Sequence, residues 1–207
     1  MSKNNNERHP NWYKDIEDME VLILGSFPPH FTKWYYEFYY PNIANRFWKI
    51  LRDISGLPLT QYKNEPNTDY KGKAVLERYA IMQKLKVGVQ NMGKVISREG
   101  KSAKDTKIKM EEYHDILSII RTHKDTLSTI LLSGFHAKHS TYRSFITYLE
   151  QNGIIVPADD KPFVGKKFAI KVDDREINCI VLNSTSSASS VKYEILLNQF
   201  KQYVKLT

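Results

Sequence analysis

Three short stretches hold the residues that could do chemistry: Gly25, Ser26, Phe27, Pro28 and Pro29; the run YYPNIANRFW over residues 39–48; and Ser184, Thr185, Ser186, Ser187 and Ala188. Their side chains are hydroxyls, neutral amides and aromatic rings. A carboxamide such as Asn45 accepts from water through its oxygen and donates through its nitrogen, a pairing better suited to orienting a reactant than to removing a proton. The same residue stands just ahead of the apolar series Phe47, Trp48, Leu51 and Ile54, where an asparagine also makes a good helix N-cap, and Asn42 could equally play that part. Gly25 and Ser26 can bring backbone N–H groups close to a ligand, or can simply turn the chain after a strand. The cluster Trp34, Tyr35, Tyr36, Phe38, Tyr39 and Tyr40 divides between core and loop packing. A serine-rich turn ahead of a helix reads on its own as capping.

These stretches need a scaffold that sets them side by side. Residues 21–24 form an apolar run without polar alternation, the mark of a parallel strand covered on both faces. The loop at the carboxyl end of such a strand is where open α/β sheets place ligand crevices. Residues 129–132 repeat the pattern and end at Ser133 and Gly134, and residues 87–91 read as a short strand. Helices are expected over residues 45–54 (closed by Gly56 and Pro58), 73–84, 109–122, 136–151 and 191–203. Residues 163–172 and 176–182 read as a hairpin about Asp173 and Asp174. Strands alternating with helices predict a three-layer α/β/α sandwich around a mostly parallel sheet. One domain is expected over residues 19–207, after a polar segment over residues 1–18.

Composition narrows the partners. A chain of 207 residues with a formal charge of +8 suggests an anionic partner, although a lysine-rich block such as residues 101–109 can equally be a solvated surface. Aromatic residues make up 12%, and aromatic platforms interleaved with cations suit exposed nucleic-acid bases, which favours DNA. The single cysteine, Cys179, lies in the apolar run 177–182, so it reads as a buried, inert thiol in a cytoplasmic protein. One thiol cannot hold an iron–sulfur cluster. His136 and His139 have no third ligand near them in the sequence and no dinucleotide or phosphate-loop fingerprint is present, so no metal and no cofactor are expected. No membrane association is expected, and the chain is expected to act as a monomer.

GSFPP after the first strand, YYPNIANRFW and STSSA together resemble the uracil-DNA glycosylase superfamily, most nearly its hypoxanthine-DNA glycosylase branch, over roughly residues 19–200. The resemblance implies the same α/β/α fold and hydrolysis of the N-glycosidic bond of a flipped, deaminated base, uracil or hypoxanthine. It implies that Asn45 is catalytic, that Tyr40 stacks on the base, and that Gly25, Ser26, Phe27, Asn91 and Ser133 complete the base pocket. Pro28, Ser184, Thr185, Ser186 and Ser187 correspond to DNA-contacting loops, the last four with backbone N–H groups at the following helix N-terminus.

The chain also departs from that pattern. Phe27 stands where mismatch-specific relatives carry a catalytic asparagine, as in the hypoxanthine branch. Asn91 and Ser133 replace an aspartate and an asparagine, and Asn183 and Ser187 replace the two prolines of LPSTSPA. The expected function is a monofunctional DNA glycosylase. The alternatives are a non-catalytic DNA-binding protein that retains the glycosylase fold, and a small-molecule hydrolase acting on nucleosides in the same crevice.

Overall fold

The computed structural model describes residues 5–60, 70–101, 105–156 and 161–206. In chain order its elements are β1 (Asn5–Arg8), β2 (Val21–Gly25), α1 (Phe47–Ser55), α2 (Tyr70–Lys84), β3 (Val87–Asn91), β4 (Gly93–Arg98), β5 (Ile108–Tyr113), α3 (Ile116–Thr122), β6 (Thr129–Ser133), α4 (Thr141–Gln151), β7 (Lys167–Val172), β8 (Arg175–Leu182) and α5 (Tyr193–Lys201). A mixed α/β architecture results, with a five-stranded sheet in the order β3-β2-β6-β8-β7 and a three-stranded sheet in the order β1-β4-β5.

The five-stranded sheet forms where the apolar runs lie. Val21 to Gly25 are all buried, and β2 pairs in parallel with β3 on one side and β6 on the other. The next neighbour, β8, is also parallel to β6, while β7 closes the edge as the antiparallel half of the expected hairpin. A central strand must bury side chains on both faces, which is why β2 and β6 lack polar alternation. One hydrophobic cluster runs from Trp12 to Val204. The amphipathic helix α1 presses Phe47, Trp48, Ile50, Leu51 and Ile54 into it and ends at Gly56, whose φ of 68° lets its N–H reach the carbonyl of Arg52.

Three expectations need correction. Residues 109–122 are two elements. Ile108 and Met110 point inward while Lys109 and Glu111 point outward, a period of two that makes a strand, and Asp115 then caps α3 by accepting from the N–H of Ser118 at 3.0 Å. The helix expected from His136 begins at Thr141, so His136 and His139 lie in the turn ahead of it. The polar segment ahead of β2 is built into the structure: β1 pairs with β4, and His9, Trp12 and Ile16 are buried.

The small sheet has no parallel in the sequence reading, because its strands are short and half polar. It is attached to the large one directly. Past the Gly25 and Asn91 rung, the N–H of Met92 donates to Gly25 at 2.8 Å and that of Gly93 to Ser26 at 3.0 Å, so β3 runs on into β4. Arg98, 4% exposed, then joins three pieces. Its Nε donates to Glu7 in β1 at 2.8 Å, an Nη donates to the carbonyl of Pro28 at 2.8 Å, and its guanidinium sits 5.7 Å from the Phe27 ring.

Removing the cation leaves a carboxylate and a carbonyl without their partner, which is costlier than the pair is worth. Arg98→Ala is expected to lower the free energy of unfolding by about 3 to 5 kcal/mol. Urea titration of both proteins tests this, with the slope against denaturant unchanged if the unfolded state is the same.

Candidate functional site

Parallel pairing brings the carboxyl ends of β2, β3, β6 and β8 to one edge. Gly25 stands opposite Asn91, and at the same level, one beyond the Leu24 and Leu132 pair, Ser133 stands opposite Leu182, which leads into Ser184, Thr185, Ser186 and Ser187. The candidate residues dispersed along the sequence therefore share a rim. Gly25 cannot be larger. A Cβ there would collide with Oδ1 of Asn91 and lie 2.9 Å from the Tyr40 hydroxyl, so glycine leaves room for a carboxamide and a phenol to close over the strand end.

Tyr40 adopts a left-handed backbone, φ 48°, uncommon outside glycine and asparagine, and its carbonyl accepts from the Tyr36 hydroxyl at 2.6 Å. Its ring stacks on Phe47 with centroids 3.9 Å apart and planes 19° from parallel. Its neighbours are anchors. Tyr36, Phe38 and Tyr39 are fully buried, Trp34 donates to the Pro29 carbonyl at 2.7 Å, and Trp48 donates to the Tyr39 carbonyl at 2.7 Å. Of the tyrosines in this cluster, Tyr35 and Tyr40 remain half-buried.

Asn45 combines two roles. Its Oδ1 accepts the backbone N–H of Phe47 at 2.9 Å, as a cap would, and the hydroxyl of buried Thr185 at 2.8 Å. Both lone pairs are then used, so what remains to the amide is donation through Nδ2. Asn42 makes the equivalent turn with the N–H of Ala44 at 2.9 Å.

Arg46, overlooked in the sequence reading although it sits inside YYPNIANRFW, holds the loop after β8. Its guanidinium donates to the carbonyls of Thr185, Ser186, Ser189 and Val191 at 3.4, 2.7, 3.2 and 2.5 Å, and its own N–H donates to Thr185 at 3.1 Å. Within the loop Ser184 accepts from the N–H of Ser186 and Ser186 from that of Ala188, each at 3.2 Å. These are turn bonds within the loop and not helix caps, since the N-cap of α5 is Lys192, which makes no side-chain cap bond. The helix itself starts only at Tyr193, so the phosphate contact expected of Ser184 to Ser187 at its N-terminus is not available there. Ser187 is exposed. The N–H of Asn183, which a proline would lack, donates to Gln199 of α5 at 3.2 Å.

Phe27 is half-buried and Pro28 buried. Phe27 packs against Ile96, Ile108 and Met110 under the small sheet, and Pro28 is buried with its carbonyl taken by Arg98. Ser133 is buried and its carbonyl accepts the Thr141 hydroxyl at 2.8 Å.

Asn91 is 5% exposed, and its Nδ2 lies 3.0 Å from Nε2 of His9. The other ring nitrogen of His9, Nδ1, is 2.5 Å from the carbonyl of Pro10, an acceptor only, so Nδ1 carries the proton. Burial first and the nearby His114 second push the His9 pKa down from 6.5 to about 3, and the ring is neutral. His114, its ring 4.9 Å from that of His9, is pushed down to about 4 by burial and by Lys94. The sequence carries no sign of this pair, since His9 belongs to a polar segment without periodicity.

A cavity of about 370 Å³ opens beside this rim, with His9, Trp12, Tyr39, Gln90, His114 and Asp115 among its walls. It does not include Gly25, Tyr40, Asn45 or Ser133, but it reaches the residues that hold Asn91 from behind: Gln90 accepts the N–H of Asn91 at 2.8 Å and the Tyr39 hydroxyl at 2.9 Å. A smaller space of about 60 Å³ adjoins Asn42, Asn45 and Arg46. The Asn91 carboxamide and the Tyr40 hydroxyl meet over Gly25 at the carboxyl end of β2, and this rim is the candidate site. Among the described residues, no three of His, Cys, Asp or Glu gather as a metal cage, and no helix is long and apolar enough to cross a membrane. No protein-family model and no curated protein matches this chain.

The neutral histidines make stability depend on pH. A histidine whose pKa is about 3 when folded and 6.5 when unfolded penalises folding only below 6.5, where the unfolded chain takes the proton first. Between pH 7.5 and pH 5, His9 alone is expected to remove about 2 kcal/mol of stability, with His114, more open to water, adding less. Chemical denaturation at the two pH values checks this, and His9→Gln should flatten the dependence.

Proposed function

We propose that the chain is a monofunctional DNA glycosylase that flips a deaminated base, uracil or hypoxanthine, out of DNA and hydrolyses its N-glycosidic bond, on the three-layer α/β/α sandwich of the uracil-DNA glycosylase superfamily. The observation that carries this reading is the meeting of the Asn91 carboxamide and the Tyr40 hydroxyl over Gly25 at the carboxyl end of β2, with the Tyr40 ring stacked on Phe47.

The chemistry asked of the protein is modest. As the bond from C1′ to the base nitrogen breaks, the base leaves with the electron pair, the sugar acquires oxocarbenium character, and water adds to C1′. Negative charge grows on the base, and a carboxamide N–H stabilises it. Asn45 has that group to give: its oxygen is committed to Phe47 and Thr185, so its Nδ2 is the side available to a departing base or an entering water. Thr185 and Arg46 tie the β8 loop to Asn45, which sets the amide against the rim. Tyr40 offers a ring already stiffened by stacking on Phe47, and an aromatic platform of this sort is worth roughly 1 to 3 kcal/mol per stacked base.

One observation favours a second reading. The bonds that occupy the oxygen of Asn45 are those of a helix cap and a loop tie, as in a protein that keeps the fold and binds DNA without cutting the base.

Single-turnover excision from duplexes carrying uracil or hypoxanthine decides between them. Asn45→Ala is expected to slow excision on the order of 10² or more with binding retained, while lost capping costs about 1 kcal/mol of stability. No excision by the unmutated protein would leave the binding reading. In both readings the formal charge of +8 predicts affinity for DNA that falls steeply between about 50 and 200 mM salt, which fluorescence anisotropy measures directly.

A further inference from the structure

We infer that Phe31 is a wedge: its ring enters the base stack of bound duplex DNA and fills the gap left when a base swings out. This rests on the glycosylase reading. Extruding a base breaks stacking on both sides of it, and proteins that distort a duplex insert an apolar side chain at the broken step. The loop after β8 cannot supply one. From Ser184 to Ser190 it carries only hydroxyl side chains and the methyl of Ala188, and Arg46 holds its carbonyls down. The loop after β2 can, because Phe31 is 64% exposed there.

A lone exposed aromatic is ordinary on a protein surface. This one differs in how its backbone is held. Phe31 opens a single 3-10 turn, Phe31–Lys33, in which the carbonyl of His30 accepts the N–H of Lys33 at 2.9 Å and that of Phe31 the N–H of Trp34 at 3.0 Å. Nδ1 of His30 lies 2.9 Å from the Thr32 hydroxyl, and its ring is 4.3 Å from that of Phe31. Both stems of the turn are anchored. On one side Arg98 binds the Pro28 carbonyl at 2.8 Å. On the other, Trp34 donates to the Pro29 carbonyl at 2.7 Å and packs edge-on against buried Trp12 at 4.8 Å. The N–H of Tyr35 then donates to the carbonyl of Pro41 at 3.1 Å, which sets the turn beside Tyr40 at the rim. A fixed backbone that leaves a large ring in water has already lost the freedom that docking would otherwise remove. Exposed Lys33, two residues on, supplies a cation for a neighbouring phosphate.

A wedge matters only where there is a stack to open, so the test compares substrates. Phe31→Ala is expected to slow single-turnover excision of uracil or hypoxanthine from duplex DNA by about tenfold or more and to leave excision from a single strand within about twofold. Phe31→Leu, which keeps apolar bulk, should retain most of the duplex rate. The melting temperature should not move in either variant, because the ring is exposed. Independently of catalysis, a duplex with 2-aminopurine beside an abasic analogue should change its emission on binding the unmutated protein and not on binding Phe31→Ala. Equal losses on duplex and single strand, or no loss on either, would overturn the wedge and leave the glycosylase reading standing. No excision from any of these DNAs by the unmutated protein would sink that reading and the inference with it.

Discussion

Everything at the candidate site depends on one constraint: β2 lies between two parallel neighbours, β3 and β6. Parallel strands cannot be joined by tight hairpins, so each connection must cross back over the sheet, and every strand then delivers its carboxyl end to the same edge. Residues from the loops after β2, β3, β6 and β8 meet for that reason alone. The one antiparallel member of that sheet, β7, is at its far edge and contributes nothing to the rim.

At that edge many polar groups are committed to backbone carbonyls and amides of the loops. Arg46 illustrates it. A single guanidinium satisfies four carbonyls of a loop that has no regular structure of its own, a task for which a planar fork of five N–H donors is better suited than an ammonium. The cation is spent on backbone oxygens. Tyr36, Tyr39 and Trp48 act similarly: each buries its ring and sends its one polar atom to a carbonyl or amide near Tyr40. Rigidity around Tyr40 therefore comes from aromatic residues whose polar tips are satisfied.

The three-stranded sheet is a brace for the first loop. Phe27 inserts beneath it, Arg98 reaches from it to Pro28, and β1 completes it from the N-terminal side. The same segment then carries His9 to the back of Asn91, so the residues before β2 serve both the brace and the site.

Local pattern was sufficient for much of the fold. The apolar runs of β2, β6 and β8, the spacing of Phe47, Trp48, Leu51 and Ile54, and Gly56 beyond them each leave a one-dimensional trace, because burial on two faces or on one stripe imposes its own period. Residues 109–122 carry no clear boundary in the sequence because Ile108 to Tyr113 is short, and its alternation of charged and apolar residues merges with the helical pattern that follows. The short strands β1 and β4 left no trace of that kind. By itself the sequence determined which residue types reach the rim, since strand ends and loops follow from periodicity. Only the tertiary structure decided which partner each polar side chain at the rim meets. Asn45 meets Thr185 across 140 residues, and Asn91 meets His9 across 82. Hydrogen-bond partners so far apart in the chain are chosen by packing, which no local window of sequence contains.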